Sequence, residues 1–166
     1  DIWEDIYFEI IRQKTASLIA SCCAVGAASS KCEDQIVKKM KILGVEIGMA
    51  FQIKDDLFDY GDDEIGKPLG IDKKKKKLTL PLIYSLSKAS WLEKRRIINI
   101  VKNENEKPEK VKEVIGFVKK SGGIENANEP MNRYYRKSVE VLEEFPASDY
   151  RTSLMELVQF TIERRT

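Results

Sequence analysis

The stretch Gly48-Met49-Ala50-Phe51-Gln52-Ile53-Lys54-Asp55-Asp56-Leu57-Phe58-Asp59-Tyr60 sets three carboxylates and an amide at helical spacing inside an apolar run. Residues three and four apart share one face of an α-helix. On that geometry Asp55 and Asp59 stand one turn apart with Asp56 beside them, and Gln52 precedes the leading pair on the same stripe. Ala50, Ile53, Leu57 and Tyr60 mark a second, apolar stripe for a core. One side of this helix packs, and the other shows the charges.

Like charges this close repel, and a cation between them relieves the repulsion. Hard divalent ions such as Mg²⁺ take one or two carboxylates plus substrate phosphates and keep several waters. An acidic, solvated helix end is the other account of the same residues. A calcium loop of the EF-hand kind is excluded, because it needs a Gly at its sixth position and a Glu at its twelfth. Counted from Asp55, those positions hold Tyr60 and Gly66.

The rest of the chain follows the same period. A helix is expected over about Trp3–Ala28, where Ile2, Ile6, Ile10, Leu18, Cys22 and Val25 follow helical spacing and Asp1 is placed to cap. Lys14 falls where that stripe predicts another Ile, so it either snorkels to solvent or enters a polar cavity. Small residues from Ala16 to Ala28 permit close helix approach, and Ser29-Ser30-Lys31 makes the break. A second long helix runs from about Glu33 to Tyr60. Its Gly44 and Gly48 each cost about 1 kcal/mol relative to Ala, which marks close contact with a neighbour.

Gly61 to Lys76 is loop, punctuated by Gly61, Gly66, Pro68 and Gly70. Further helices are expected over Thr79–Ser87, Ser90–Lys102, Pro108–Ser121, Ile124–Glu144 and Asp149–Arg164. Gly122-Gly123 and Pro146 separate the last three. No alternating stretch suggests a sheet, so the fold is all-α, one domain over 1–166.

Composition narrows the chemistry. The chain has no histidine, which removes Ser-His-Asp hydrolysis, histidine-ligated zinc and histidine general bases. A net charge of +2 is too near neutral to argue for a nucleic-acid partner, and the five lysines Lys73–Lys77 lack interleaved aromatics. Cys22, Cys23 and Cys32 have no C-x-x-C spacing; the adjacent pair reads as buried small hydrophobes, in a reducing, cytoplasmic setting. No apolar run is long enough to span a bilayer. The start at Asp1 lacks a basic leader and an initiator Met, which suggests a fragment or a processed chain.

Four motifs stand in order: Lys14-Thr15, F-Q-x-x-D-D-x-x-D from Phe51 to Asp59, G-K-x-x-G-x-D from Gly66 to Asp72, and K-x-T-L-P from Lys77 to Pro81. Together they resemble the trans-isoprenyl diphosphate synthases, with a texture most like the long-chain, octaprenyl-type members. The resemblance implies a helical bundle of the isoprenoid synthase type. It also implies Mg²⁺-dependent head-to-tail condensation of isopentenyl diphosphate with an allylic diphosphate, through ionisation to an allylic carbocation. In that family the departing pyrophosphate is generally taken as the proton acceptor, so a chain without histidine is compatible.

Carried over by match, Asp55, Asp56 and Asp59 would bind Mg²⁺, and Lys14 and Lys67 would contact the allylic diphosphate. Thr15 and Gln52 would set polar oxygens near the cation, giving Lys14, Thr15 and Gln52 the catalytic roles. Phe51 would help wall the isopentenyl pocket, and Lys77 would close the site. The resemblance further implies a cytoplasmic homodimer with no transmembrane segment, in peripheral contact with membrane on product release.

The departures carry information too. The family has two aspartate-rich motifs on facing helices, and only one is present; Asp62-Asp63 belongs to the loop and lacks the arginines that should follow. The family's N-terminal isopentenyl diphosphate ligands are absent as well. A partial bundle lacking N-terminal helices, the C-terminal half of a longer synthase, is therefore expected, and the chain alone should not turn over. Lys73–Lys76 replace the Leu-x-Glu-Gly usual before the lysine, which puts closure of the loop in question. A non-catalytic subunit of a two-component synthase and an anion-binding helical module are the alternatives. A terpene cyclase fits the K-T pair and the G-K-x-x-G-x-D loop less well.

Overall fold

In a computed structural model the protein is described over residues 2–61 and 78–164. Among these residues all regular structure is helical: α1 (Ile2–Ile11), a π-helical segment (Arg12–Ala16), α2 (Ser17–Ser29), α3 (Asp34–Phe58), α4 (Leu80–Lys88), α5 (Trp91–Asn103), α6 (Pro108–Lys120), α7 (Gly123–Glu143) and α8 (Asp149–Glu163). The all-α expectation holds, and each predicted helix is present within a few residues of its expected ends. The chain forms two compact units, residues 1–54 with 128–166 and residues 55–127.

In the first unit α3 contributes Leu43 to a core with Leu142 of α7 and Val158 of α8, flanked by Met40, Ile47, Val139 and Leu154. Against α2 and the π segment α3 packs backbone to backbone. A Cβ added to Gly44 would lie 2.5 Å from the Cα of Ala20, and one added to Gly48 would lie 2.5 Å from the Cα of Ala16. No side chain can give way there, so glycine is required on α3 and a small residue opposite. The close approach read from the small residues is therefore present.

The π segment explains which face of the first helix is buried. The buried positions run Tyr7, Ile11, Ala16, Ala20 and Ala27. The step from Ile11 to Ala16 is five residues rather than four, and the Ser17 N–H closes the wide turn on the Arg12 carbonyl. The stripe of Ile2, Ile6, Ile10, Leu18 and Val25 has helical spacing as expected but is exposed. Cys22 is exposed and Cys23 only partly buried, which corrects the reading of this pair as buried small hydrophobes. Burial raises the Cys23 thiol pKa, with Cys22 adding to it.

Helix α2 ends without glycine. Lys31 takes a left-handed φ of 57°, and the Lys31 and Cys32 N–H groups donate to the Ala28 and Ala27 carbonyls at 3.0 and 3.3 Å. That is the Schellman arrangement, completed here by a lysine.

The second unit is built on i, i+3, i+4 stripes. Ile97, Ile100 and Val101 of α5 meet Val111, Val114, Ile115 and Val118 of α6, with Tyr60, Leu82 and Leu86 in the same cluster. Pro81 and Pro108 occupy first turns, where a missing N–H costs nothing. Ser90 and Glu93 form a full capping box on α5. Gly122, at φ 74°, makes the stop before α7, and Gly123 lies so close to Ser85 and Pro81 that a side chain there would collide with both.

The glycines should therefore separate by environment. Gly48→Ala should lose about 1–3 kcal/mol by overpacking despite its gain in helix propensity. Gly116→Ala, where a Cβ meets nothing within 4 Å, should gain about 0.5–1 kcal/mol. Urea unfolding of both variants checks the opposite signs.

Candidate functional site

The π segment carries Lys14 and Thr15. Its extra residue sets Thr15 against α3, where the Thr15 hydroxyl donates to Gln52 Oε1 at 2.8 Å. Two motifs separated by 37 residues thus meet through one hydrogen bond. Lys14 lies on the exposed side of the segment.

Phe51, the neighbour of Gln52, is covered by a residue that no local pattern announced. The Arg164 guanidinium lies 4.2 Å from the Phe51 ring centre, and its Nη2 donates to the Phe51 carbonyl at 3.5 Å. A second bond, from Arg164 Nε to the Thr161 carbonyl at 3.2 Å, fixes the guanidinium at the end of α8. Burial, and secondarily the Arg164 charge, lowers the Lys54 ammonium pKa. Glu46, two turns earlier on α3, has a buried Oε2 without a hydrogen-bond partner. Burial raises its carboxyl pKa, while Lys137, Arg12 and Arg133 work in the opposite direction.

In the second unit α3 ends at Phe58, so Asp55 and Asp56 occupy its last turn and Asp59 lies one residue beyond it. The Tyr60 N–H donates to the Leu57 carbonyl at 3.1 Å and the Gly61 N–H to the Phe58 carbonyl at 3.2 Å, which tightens the exit. The expected division of faces needs correction. The buried stripe runs Met49, Ile53, Asp56 and Tyr60, with Asp56 only 4% exposed. Leu57 is partly buried instead. Asp56 therefore faces the packed side, while Asp55 and Asp59 are half-buried.

This placement opposes helix electrostatics. Carboxylates are favoured at helix N-termini and disfavoured at C-termini, where the carbonyl ends carry partial negative charge. The last turn of α3 contains no basic residue. Burying Asp56 adds a desolvation cost. A merely solvated acidic end does not account for a carboxylate buried at the wrong end of a helix.

Tyr60 fixes the exit of this helix. Its hydroxyl is hydrogen-bonded to Thr79 Oγ1 at 2.6 Å, and both residues are buried. Thr79 is the N-cap residue of α4 yet makes no side-chain cap bond, its hydroxyl being engaged by Tyr60. The end of the aspartate motif is thereby tied to the T-L-P motif. Lys67 and Lys77, like Asp1, Asp62, Asp63 and Lys73–Lys76, lie outside the described residues.

Among the described residues no three His, Cys, Asp or Glu side chains converge as a metal-binding group. The donors nonetheless fit Mg²⁺, which needs only one or two carboxylates and completes its shell with phosphate and water. They do not fit zinc, for want of histidine and of a thiol cluster.

Burial raises the Tyr60 phenol pKa above its ordinary value; Asp59 and Asp56 add to the shift, and the Thr79 bond works against it. The unfolded chain ionises this phenol near pH 10 while the folded chain keeps it neutral, so its contribution is intact below about pH 10 and is lost as pH rises further. Tyr60→Phe should remove that alkaline loss. It should also cost about 1–3 kcal/mol at neutral pH by leaving the Thr79 hydroxyl buried and unpaired. Thermal melts of both proteins from pH 7 to 11 check both effects.

Comparison with known proteins identifies a family. Residues 1–118 match the family model described as polyprenyl synthetase. A geranylgeranyl diphosphate synthase of Saccharolobus solfataricus is 33% identical over 99% of this chain and 51% of its own length. A heptaprenyl diphosphate synthase component 2 of Bacillus subtilis is 30% identical over 96% of this chain and 45% of its own length. The crystal structure of a geranylgeranyl pyrophosphate synthase from Bacteroides thetaiotaomicron superposes with a TM-score of 0.89 at 37% identity, covering 97% of this chain and 54% of that one. The chain thus spans about half the length of the relatives it matches.

Proposed function

Because the chain belongs to the polyprenyl synthetase family, we propose that it forms part of a prenyltransferase that condenses isopentenyl diphosphate with an allylic diphosphate. The observation that carries this reading is the carboxylate cluster at the C-terminal end of α3, with Asp56 buried. Carboxylates gathered at the end of one helix are the kind of oxygen donors that Mg²⁺ takes together with substrate phosphates.

In this reading Asp55, Asp56 and Asp59 hold Mg²⁺. Bound there, Mg²⁺ would supply positive charge to a leaving diphosphate, which favours ionisation of the allylic carbon–oxygen bond. Lys14 and Lys67 hold the diphosphate oxygens. Thr15 and Gln52, hydrogen-bonded to each other, present oriented oxygens near the developing allylic cation and fix each other's geometry. Phe51 walls the isopentenyl side, and Lys77 closes over the bound diphosphates. The whole chain acts as one domain, in a cytoplasmic enzyme that self-associates.

A chain covering about half of each relative supplies part of a site, so turnover requires the remaining helices. The relatives are named for geranylgeranyl and heptaprenyl products, so no product length is assigned. The Bacillus subtilis relative is named as one component of its synthase, and this favours a second reading in which a separate polypeptide completes the site. Retention of all three aspartates speaks against a non-catalytic role for this chain within such a pair.

Isothermal titration with a non-hydrolysable allylic diphosphate analogue, with and without Mg²⁺, tests the proposal. Binding should require Mg²⁺ and should weaken at least about tenfold in Asp55→Asn/Asp56→Asn, the effect of removing charge-assisted ligands. Binding indifferent to both Mg²⁺ and the substitutions would instead indicate an anion-binding module that uses its lysines.

A further inference from the structure

The first turn of α5 presents two large apolar side chains to solvent. Trp91 is 68% exposed and Leu92 is 71% exposed. They are not at a fraying end, because the Ser90–Glu93 capping box closes the helix start from both directions. Nor does the core require them, since α5 packs through Ile97, Ile100 and Val101 on another face.

The charges near this pair in the sequence are mostly basic. From Leu78 to Asn103 the bases are Lys88, Lys94, Arg95, Arg96 and Lys102, and the one acid is Glu93. Lys94 and Arg95 follow Trp91 by three and four residues, on its own face. The Arg95 guanidinium lies 5.5 Å from the centre of the Trp91 indole. Arg96 is engaged by Glu113 at 2.7 Å, whereas Glu93 serves the cap by accepting from Ser90 at 2.7 Å. The Glu93 carboxyl is held low first by the Ser90 hydroxyl, with Lys120 also contributing, which places one more cation near the patch.

Cations near the start of a helix gain nothing from its dipole, so Lys94 and Arg95 add no stability by that route. Exposed Trp and Leu likewise gain nothing in water. An anionic lipid surface would favour both. Trp settles at the headgroup level, Leu enters the acyl boundary, and each base near an anionic leaflet adds attraction. Among the described residues no helix is long and apolar enough to cross a membrane, so the contact would be peripheral.

We propose that the start of α5, through Trp91 and Leu92 within a rim of Lys88, Lys94 and Arg95, docks on an anionic membrane surface. None of these residues is assigned a part in prenyl transfer, and the proposal stands whether or not that assignment holds.

The test is flotation of the chain in a Trp3→Phe background, so that indole emission reports Trp91 alone. Neutral phosphatidylcholine vesicles are compared with vesicles containing about 30% phosphatidylglycerol, a strongly anionic surface. Binding should favour the anionic vesicles and shift Trp91 emission to the blue. Lys94→Gln/Arg95→Gln should bind them at least about tenfold more weakly, as should Leu92→Ser, while Leu92→Ile keeps binding. Circular dichroism verifies that each variant keeps its helicity. Three outcomes would each overturn the proposal: no binding to anionic vesicles, binding with unchanged Trp91 emission, or equal binding by Leu92→Ser. The last two would transfer the contact to lysines elsewhere.

Discussion

The structure depends first on a contact between backbones. At Gly44 with Ala20 and Gly48 with Ala16, α3 lies too close to its neighbour for any side chain to intervene. The contact offers little apolar area, and its value is positional. It brings the π segment to within hydrogen-bond distance of α3, so that Thr15 meets Gln52. Ala16, which meets Gly48, is the residue after Thr15, and Gly48 is one turn before Gln52. A closer rein on that polar pair is hard to build from two helices. The π turn belongs to the same device, because without its extra residue the buried stripe would run out of phase between Ile11 and Ala16.

A second constraint works against stability. Asp55, Asp56 and Asp59 gather where the helix is already electronegative, and one of them is buried. The folded chain offsets this locally through Tyr60, whose buried bond to Thr79 ties the end of α3 to the start of α4. The motif thus sits on a helix end that is electrostatically unfavourable and mechanically anchored. Functional sites commonly combine a locally unfavourable charge placement with a firm anchor.

Much of this was legible in the sequence. The helices followed from apolar period and punctuation, because Gly122, Pro108, Pro81 and the Ser90–Glu93 pair act through local chemistry that needs no tertiary information. Gly44 and Gly48 were legible as contact points because nothing else repays glycine inside a helix. The site is legible only in part. By pattern alone Asp56 falls on the solvent face, because the apolar Leu57 next to it fits the stripe equally well, yet Asp56 is the buried one. The π turn left no local signature beyond a five-residue step, visible once the buried positions are known. Arg164 meets Phe51 across 113 residues of sequence, a separation at which pattern is silent. Exposure of Ile2, Ile6 and Ile10 was equally hidden, since helical spacing reports the period of a stripe and not the side it packs on.

The central claim is that the Gly48–Ala16 approach serves the site by seating Thr15 against Gln52. A double-mutant cycle between Gly48→Ala and Thr15→Val, read as Mg²⁺-dependent affinity for the diphosphate analogue at a temperature where both variants remain helical, tests it most directly. Each substitution alone should weaken binding about tenfold and the pair no more than either alone, the signature of two changes acting through one interaction. Fully additive losses, or unchanged affinity in Gly48→Ala, would contradict the account and reduce the contact to packing alone.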